Sequence, residues 1–185
     1  GALLADLGKA LPRPEAVLVV SPHWMTRGTV VSTAAQPRTI HDFGGFPEAL
    51  YRLQYPAQGH PALATLAAET VARAGFETAL DDRRGLDHGA WVPLRHLYPE
   101  ADVPAFQVSM PASLDANAAW RMGEALAPLA ERGVLILGSG SLTHNLHEFR
   151  ADAKRDEPYA AAFVEWIREA VLQADGERLR NALAL

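Results

Sequence analysis

The pattern of apolar positions predicts buried strands that alternate with amphipathic helices. Residues 16–20 and 134–137 are short apolar runs rich in branched side chains, which is typical of strands buried on both faces. Further strands are predicted at 29–33, 76–80 and 103–110. Helical spacing predicts helices at 3–11, 48–51, 61–74, 92–97, 115–131, 159–174 and 177–185. This alternation predicts an α/β three-layer sandwich, with a central mainly parallel or mixed sheet flanked by helices.

Two of the predicted strands run directly into polar segments that contain histidine. Residues 134–137 lead into Gly-Ser-Gly-Ser at 138–141 and then to His144, and residues 16–20 lead into His23. In open α/β sheets, ligands bind in the crevice outside the carboxyl ends of the strands. Histidines at these ends are therefore candidates for proton transfer or metal binding.

Two further loops carry candidate site residues. His88 lies in the segment Gly-Leu-Asp-His-Gly at 85–89, and His41 lies in a loop at 39–47 that contains paired glycines and two phenylalanines. Such a loop suits the cover of a pocket, although an ordinary packed Ω-loop has the same composition. The alternative for all of these histidines is that each is a separate structural residue.

Composition limits the classes of function. The chain has 185 residues, of which 49% are hydrophobic and 21% charged, and its net charge is −5. It is therefore expected to be a single globular domain without a nucleic-acid surface, and no apolar run is long enough for a membrane span. Cysteine is absent, which excludes disulfides and thiolate ligands and is compatible with a cytoplasmic protein.

The remaining chemistry centres on imidazole. No phosphate-binding loop, dinucleotide fingerprint or serine-hydrolase elbow is present. Imidazole ligands suit Zn(II) and non-haem Fe(II), but no compact pair of histidines shows which residues would be the ligands. A zinc-dependent hydrolase and a non-catalytic scaffold therefore stay open beside an oxygenase.

Five motifs, taken together and in this order, resemble one family. They are Ser21-Pro22-His23-Trp24, the loop at 39–47, Tyr55-Pro56-Ala57, Asp87-His88-Gly89-Ala90-Trp91, and Gly138-Ser139-Gly140-Ser141 with Thr143-His144-Asn145-Leu146. They look like the extradiol ring-cleavage dioxygenases of the LigB superfamily, in particular the bacterial 4,5-DOPA dioxygenase extradiol-like group. The resemblance extends from about residue 11 to residue 163.

The resemblance implies an enzyme that opens a catechol-type ring with O₂, using Fe(II), with Zn(II) as a possible bound metal. It implies that His23 is a metal ligand and that His144 is an acid/base residue that also ligates. For His88 it implies a catalytic role in the pocket. His41, Trp24 and Phe46 are the expected substrate-binding residues. The substrate is then a small aromatic diol.

Two motifs of the family have no counterpart in the sequence. One is a G-H-G-S-P-type motif on a first strand, and the other is a ligand histidine in a C-terminal segment. Residues 1–185 are therefore expected to be one catalytic domain that lacks the family's N-terminal strand and C-terminal ligand segment. With these ligands missing, the chain alone is expected to bind metal weakly.

Overall fold

A computed structural model describes residues 1–144 and 157–182. Asn145 and Leu146 of the fifth motif lie outside the described residues. The strands are β1 Ala16–Thr26, β2 Thr29–Ser32, β3 Thr78–Asp81, β4 Ala105–Pro111 and β5 Val134–Gly138. The helices are α1 Ala2–Ala10, α2 Glu48–Tyr51, α3 Pro61–Arg73, α4 His88–Leu97, α5 Ala116–Leu126, α6 Pro158–Leu172 and α7 Gly176–Arg180, with a 3-10 helix at Ala127–Arg132.

The strands form one mixed sheet in the order β3-β2-β4-β1-β5. Strand β1 is parallel to both of its neighbours, β4 and β5, and β2 is parallel to β3. The sheet becomes mixed where β2 meets β4 in antiparallel orientation. The predicted α/β fold with a mixed sheet is therefore confirmed.

Alternate residues of β1 face two different hydrophobic cores, because successive side chains of a strand point to opposite faces. Ala16 and Leu18 pack in a core with residues of α3 and α5, whereas Val17 and Val19 pack in a second core with residues of α4. Helices thus cover both faces of the sheet, as the three-layer prediction requires.

Three elements differ from their predicted bounds for identifiable reasons. Helix α4 begins at His88 rather than near residue 92, because the Asp87 side chain accepts a hydrogen bond from the Ala90 N–H and caps it. The helix predicted at 115–131 changes to a 3-10 helix after Leu126, where Pro128 lacks the N–H that an α-helix needs. Strand β1 continues to Thr26, beyond a register irregularity that follows Val20.

The described chain divides into two compact units. The first contains Gly1–Leu114 and Met122–Ser139, which include the whole sheet, and the second contains Asp115–Arg121 and Gly140–Leu185. Within the second unit, Arg178 of α7 lies over the Trp166 ring of α6 and pairs with Glu169. None of the described helices is both long and apolar enough to cross a membrane.

Candidate active site

A short parallel contact holds the loop at 39–47 beside the start of α4. Thr39 pairs with Leu86, the Ile40 N–H donates to the Leu86 carbonyl (2.8 Å), and the Leu86 N–H donates to the Arg38 carbonyl (2.8 Å). The Trp91 indole N–H donates to the Ile40 carbonyl at 2.9 Å. These bonds bring the loop residue Asp42 next to the first residue of α4.

Asp42 holds the backbone and the ring of His88. Its Oδ1 atom accepts from the His88 backbone N–H and lies 2.9 Å from the ring Nδ1. A carboxylate only accepts hydrogen bonds, so Nδ1 carries the proton and Nε2 of a neutral ring is left as the basic atom. Partial burial raises the pKa of Asp42, but the hydrogen bonds from His88 outweigh this effect and hold that pKa below its ordinary value.

His23 lies directly against His88. The two ring centroids are 3.9 Å apart and the planes are tilted by 37°. His23 lies in β1 between Val20 and Met25. Pairing of β1 with β4 is interrupted after Val20 and resumes at Met25. His23 and His88 therefore lie side by side, while their chemical roles stay predictions.

The side chains of His23, Asp42 and His88 form a candidate metal-binding group. One ligand atom from each residue lies within 4.8 Å of the others. Two imidazoles and one carboxylate are a donor set that suits Fe(II), and the same atoms suit Zn(II). The chemistry of the donors therefore fits the kind of metal that the sequence predicts.

An aromatic cluster adjoins this group. The Phe43 ring meets the His88 ring edge-on at 5.6 Å and lies 5.1 Å from Tyr51 and 5.5 Å from Phe46. His41 lies 5.7 Å from Trp91, and its Nε2 is 2.9 Å from the Leu53 carbonyl oxygen. A planar aromatic molecule would find stacking partners here.

The three residues expected to bind substrate differ in their surroundings. Phe46 is 55% exposed, and His41 is half-buried within the aromatic cluster. Trp24 is 8% exposed, and the Arg84 guanidinium lies 4.9 Å from its ring centroid. Their roles stay predictions.

His144 belongs to the second unit, where its side chain is exposed. His23 and His88 belong to the first unit. The expected part of His144 in catalysis and metal binding stays a prediction.

Several residues that support the site were missed in the sequence. Asp42 follows His41 directly, and a carboxylate beside a candidate histidine is a signal that could have drawn attention to it. Asp87 precedes His88 and gives the same signal. Ser21 and Gln107 donate hydrogen bonds to the Asp87 carboxylate. Nothing beside them in the sequence indicates this, because the contacts join distant parts of the chain. His60 caps α3, because its Nδ1 atom accepts a hydrogen bond from the Leu63 N–H at 3.2 Å.

Comparison with known proteins identifies the family. The family model for the catalytic LigB subunit of aromatic ring-opening dioxygenase matches residues 4–179. The chain is 44% identical to the 4,5-DOPA dioxygenase extradiol of Beta vulgaris, covering 91% of this chain and 63% of the relative. It is also 44% identical to the 4,5-DOPA dioxygenase extradiol of Escherichia coli K12, covering 88% of this chain and 60% of that protein.

A solved structure has a similar fold. The crystal structure of a protein from Escherichia coli K12, described as uncharacterized, matches with a TM-score of 0.76 and 36% identity over 90% of this chain and 63% of that one. The chain thus spans 60% to 63% of the length of these relatives. From the match of its sequence and its fold, we conclude that the chain belongs to the LigB family of aromatic ring-opening dioxygenases.

Proposed function

We propose that the protein is an extradiol dioxygenase, which opens a catechol-type ring beside its two hydroxyls with O₂. The observation that carries this proposal is the adjacent His23 and His88 pair, held by Asp42 next to an aromatic cluster. Membership of the LigB family and relatives named 4,5-DOPA dioxygenase extradiol support it. The partners are then a small aromatic diol and O₂. A cysteine-free chain suits the reducing cytoplasm, where we place the enzyme.

His23 is the proposed ligand of the catalytic metal, which we take to be Fe(II), and His144 is a further candidate ligand. Zn(II) would fit the same imidazoles. We prefer Fe(II) because the Fe(II) sites of oxygenases keep coordination positions open for substrate and oxygen. When bound, the metal supplies Lewis-acid activation of the catechol hydroxyls and a binding position for O₂. Asp42 Oδ1 is already engaged by the backbone and ring of His88, so we assign Asp42 to His88 rather than to the metal.

Histidine side chains are the proposed groups for proton transfer to and from the catechol. A catechol must lose at least one hydroxyl proton before its ring is attacked, and the ordinary imidazole pKa of about 6.5 suits a group that both takes and returns a proton. Nε2 of His88 is the basic atom, because Asp42 keeps the proton on Nδ1. His144 is the second proposed acid/base residue.

The aromatic cluster is the proposed binding surface for the catechol ring. Phe43 connects the cluster to His88, so a ring stacked near Phe43 would present its hydroxyls toward the imidazoles. His41, Phe46 and Trp24 are the proposed substrate-binding residues of the surrounding loops.

The test uses the protein with the family's two further ligand motifs present, because residues 1–185 alone are expected to bind metal weakly. The protein is reconstituted without oxygen, with Fe(II) or with Zn(II), and catechol and air-saturated buffer are then added. We expect O₂ consumption and a yellow ring-opened semialdehyde with Fe(II), and neither product nor O₂ uptake with Zn(II). The control variant His23→Gln should lose both metal and activity. An Fe(II)-loaded protein that consumes no O₂ with any of a panel of catechols would contradict the proposal, and water-dependent cleavage of ester or amide substrates by the Zn(II) form would favour a hydrolase.

Metal analysis of single variants tests the assignment of ligands. We expect His23→Gln to lose the metal, whereas His88→Gln and Asp42→Asn retain it. Loss of metal in all three variants would instead show that His23, Asp42 and His88 bind the metal as one set.

A further inference from the structure

A buried carboxylate lies behind the two imidazoles. Asp87 is 0% exposed, and its Oδ1 accepts from the Ser21 hydroxyl at 2.7 Å and from the Ala90 N–H at 3.2 Å. Its Oδ2 accepts from the Gln107 amide at 2.8 Å and from the Arg84 guanidinium at 3.1 Å. A carboxylate is costly to bury unless its oxygens are hydrogen-bonded and its charge is paired, and both conditions are met here.

Ser21 of β1 connects the Asp87 carboxylate to the backbone of His23. The Ser21 hydroxyl oxygen accepts from the His23 backbone N–H at 3.2 Å while its hydrogen is donated to Asp87. This contact lies in the part of β1 that follows the register irregularity after Val20. Ser21 therefore supports the backbone of His23 where the strand ladder is interrupted.

The same carboxylate also supports His88, because it caps the helix that begins at His88. Asp87 is the N-cap residue of α4, and His88 is the first residue of that helix. The Asp87 backbone N–H donates to the Gln107 side-chain oxygen at 2.9 Å, which fixes the start of α4 against β4. One carboxylate thus connects the segments that carry both imidazoles.

We infer that Asp87 is a positioning residue, which sets the spacing of His23 and His88 by holding Ser21 on β1 and the first turn of α4 together. The catalytic consequence rests on the proposed function, whereas the geometric consequence does not. Loss of the carboxylate should let the two rings separate although neither imidazole is altered.

Three variants separate positioning from simple stability. Ser21→Ala removes both hydrogen bonds of the Ser21 hydroxyl, the one to Asp87 and the one from the His23 N–H, and leaves the other bonds of Asp87 in place. Asp87→Asn replaces one acceptor oxygen by a donor, so the donors that now face the carboxylate can no longer all be paired. The double variant Asp87→Asn with Gln107→Glu exchanges the amide and the carboxylate. The hydrogen bond between these two side chains can then form again with its direction reversed, and the carboxylate at 107 can still accept from the backbone N–H of residue 87. The control is Asp115→Asn, because Asp115 accepts from the Ala118 N–H at the start of a different helix.

The direct measurement is the nuclear Overhauser effect between ring protons of His23 and His88 in ¹⁵N-histidine-labelled protein without substrate. We expect it to weaken in Ser21→Ala and Asp87→Asn, to recover in the double variant, and to stay unchanged in Asp115→Asn. Since displacement of about 1 Å can cost about 10²-fold in rate, kcat should fall by about tenfold in Ser21→Ala and about a hundredfold in Asp87→Asn.

The outcomes are distinguishable. A wild-type protein that turns over no catechol would refute the proposed function, but the ring measurement would still test the positioning. Ring contact and kcat at wild-type levels in folded Asp87→Asn, with only the melting temperature lowered, would overturn the inference. If Asp87→Asn does not fold, an unchanged ring contact in Ser21→Ala overturns it instead.

Discussion

Gly89 lies where the segments of the site come closest together, so an added methyl group should damage both the fold and the site. A Cβ atom at this position would overlap the Ser21 hydroxyl oxygen and lie 2.9 Å from His23 Cδ2. Ser21 can make room only by turning away from Asp87, which breaks a charge-assisted hydrogen bond. The contact with His23 requires movement of the ring or of its backbone.

The free energy of unfolding should fall by about 1 to 2 kcal/mol in Gly89→Ala. A hydrogen bond to a charged group contributes about 1.5–3 kcal/mol, and the higher helix propensity of alanine offsets up to about 1 kcal/mol of the loss. For a chain of this size, this corresponds to a decrease of about 2–8 °C in Tm. We expect kcat to decrease by about tenfold to a hundredfold, because the His23 ring is displaced.

Gly123→Ala is the matched control. Gly123 lies within α5, and none of the described atoms would come within 4 Å of a Cβ added there. This variant should gain up to about 1 kcal/mol from helix propensity and keep its activity. Urea unfolding and steady-state kinetics measure both quantities. If Gly89→Ala were as stable and as active as Gly123→Ala, the close contact between α4 and β1 would not have the role assigned to it.

Three further predictions concern single side chains. In the protein with its metal ligands restored, His144→Gln should lower kcat by about 10² to 10⁴, and the metal content of this variant shows whether His144 also ligates; an undiminished kcat would remove His144 from the mechanism. Phe43→Leu should raise KM for catechol by about 2- to 12-fold, corresponding to a lost aromatic contact of about 0.5–1.5 kcal/mol, and an unchanged KM would place the substrate elsewhere. Asp42→Asn should lower kcat by about 10²-fold because Nδ1 of His88 is no longer fixed as the donor. The pKa of Asp42 is lowered in the folded state, so its ionised form should stabilise the fold above about pH 4. This stabilisation should be lost as the pH falls through the lowered pKa. Urea unfolding of the wild type and of Asp42→Asn at a series of pH values would measure it.

The architecture could be predicted because it depends on local patterns. The branched run at 16–20 predicts the buried start of β1, and Pro61 with Gly75 predicts the limits of α3. The ends of helices and strands were harder to predict where a contact with a distant residue or an unexpected side chain determines them. The start of α4 depends on the Asp87 side chain, and the pattern around His88 and Gly89 gave no periodicity from which to infer it.

The site could be predicted only in part, for a related reason. His23 and His88 stand out because each follows a strand or a glycine-containing loop. Asp42 becomes important only through the pairing of Thr39 with Leu86, which joins segments far apart in the sequence. The network of Asp87 with Ser21 and Gln107 likewise depends on tertiary contacts, which hydrophobic periodicity does not encode.

The most direct test of the proposed activity is the fate of the oxygen atoms. The Fe(II)-loaded protein is supplied with ¹⁸O₂ and a catechol, and the product is trapped at once and analysed by mass spectrometry, with a correction for aldehyde exchange with water. An extradiol dioxygenase places one ¹⁸O atom in the new carboxylate and one in the new aldehyde of the same ring-opened molecule. Cleavage with oxygen from water alone, or oxidation of the catechol without ring opening, would contradict the account.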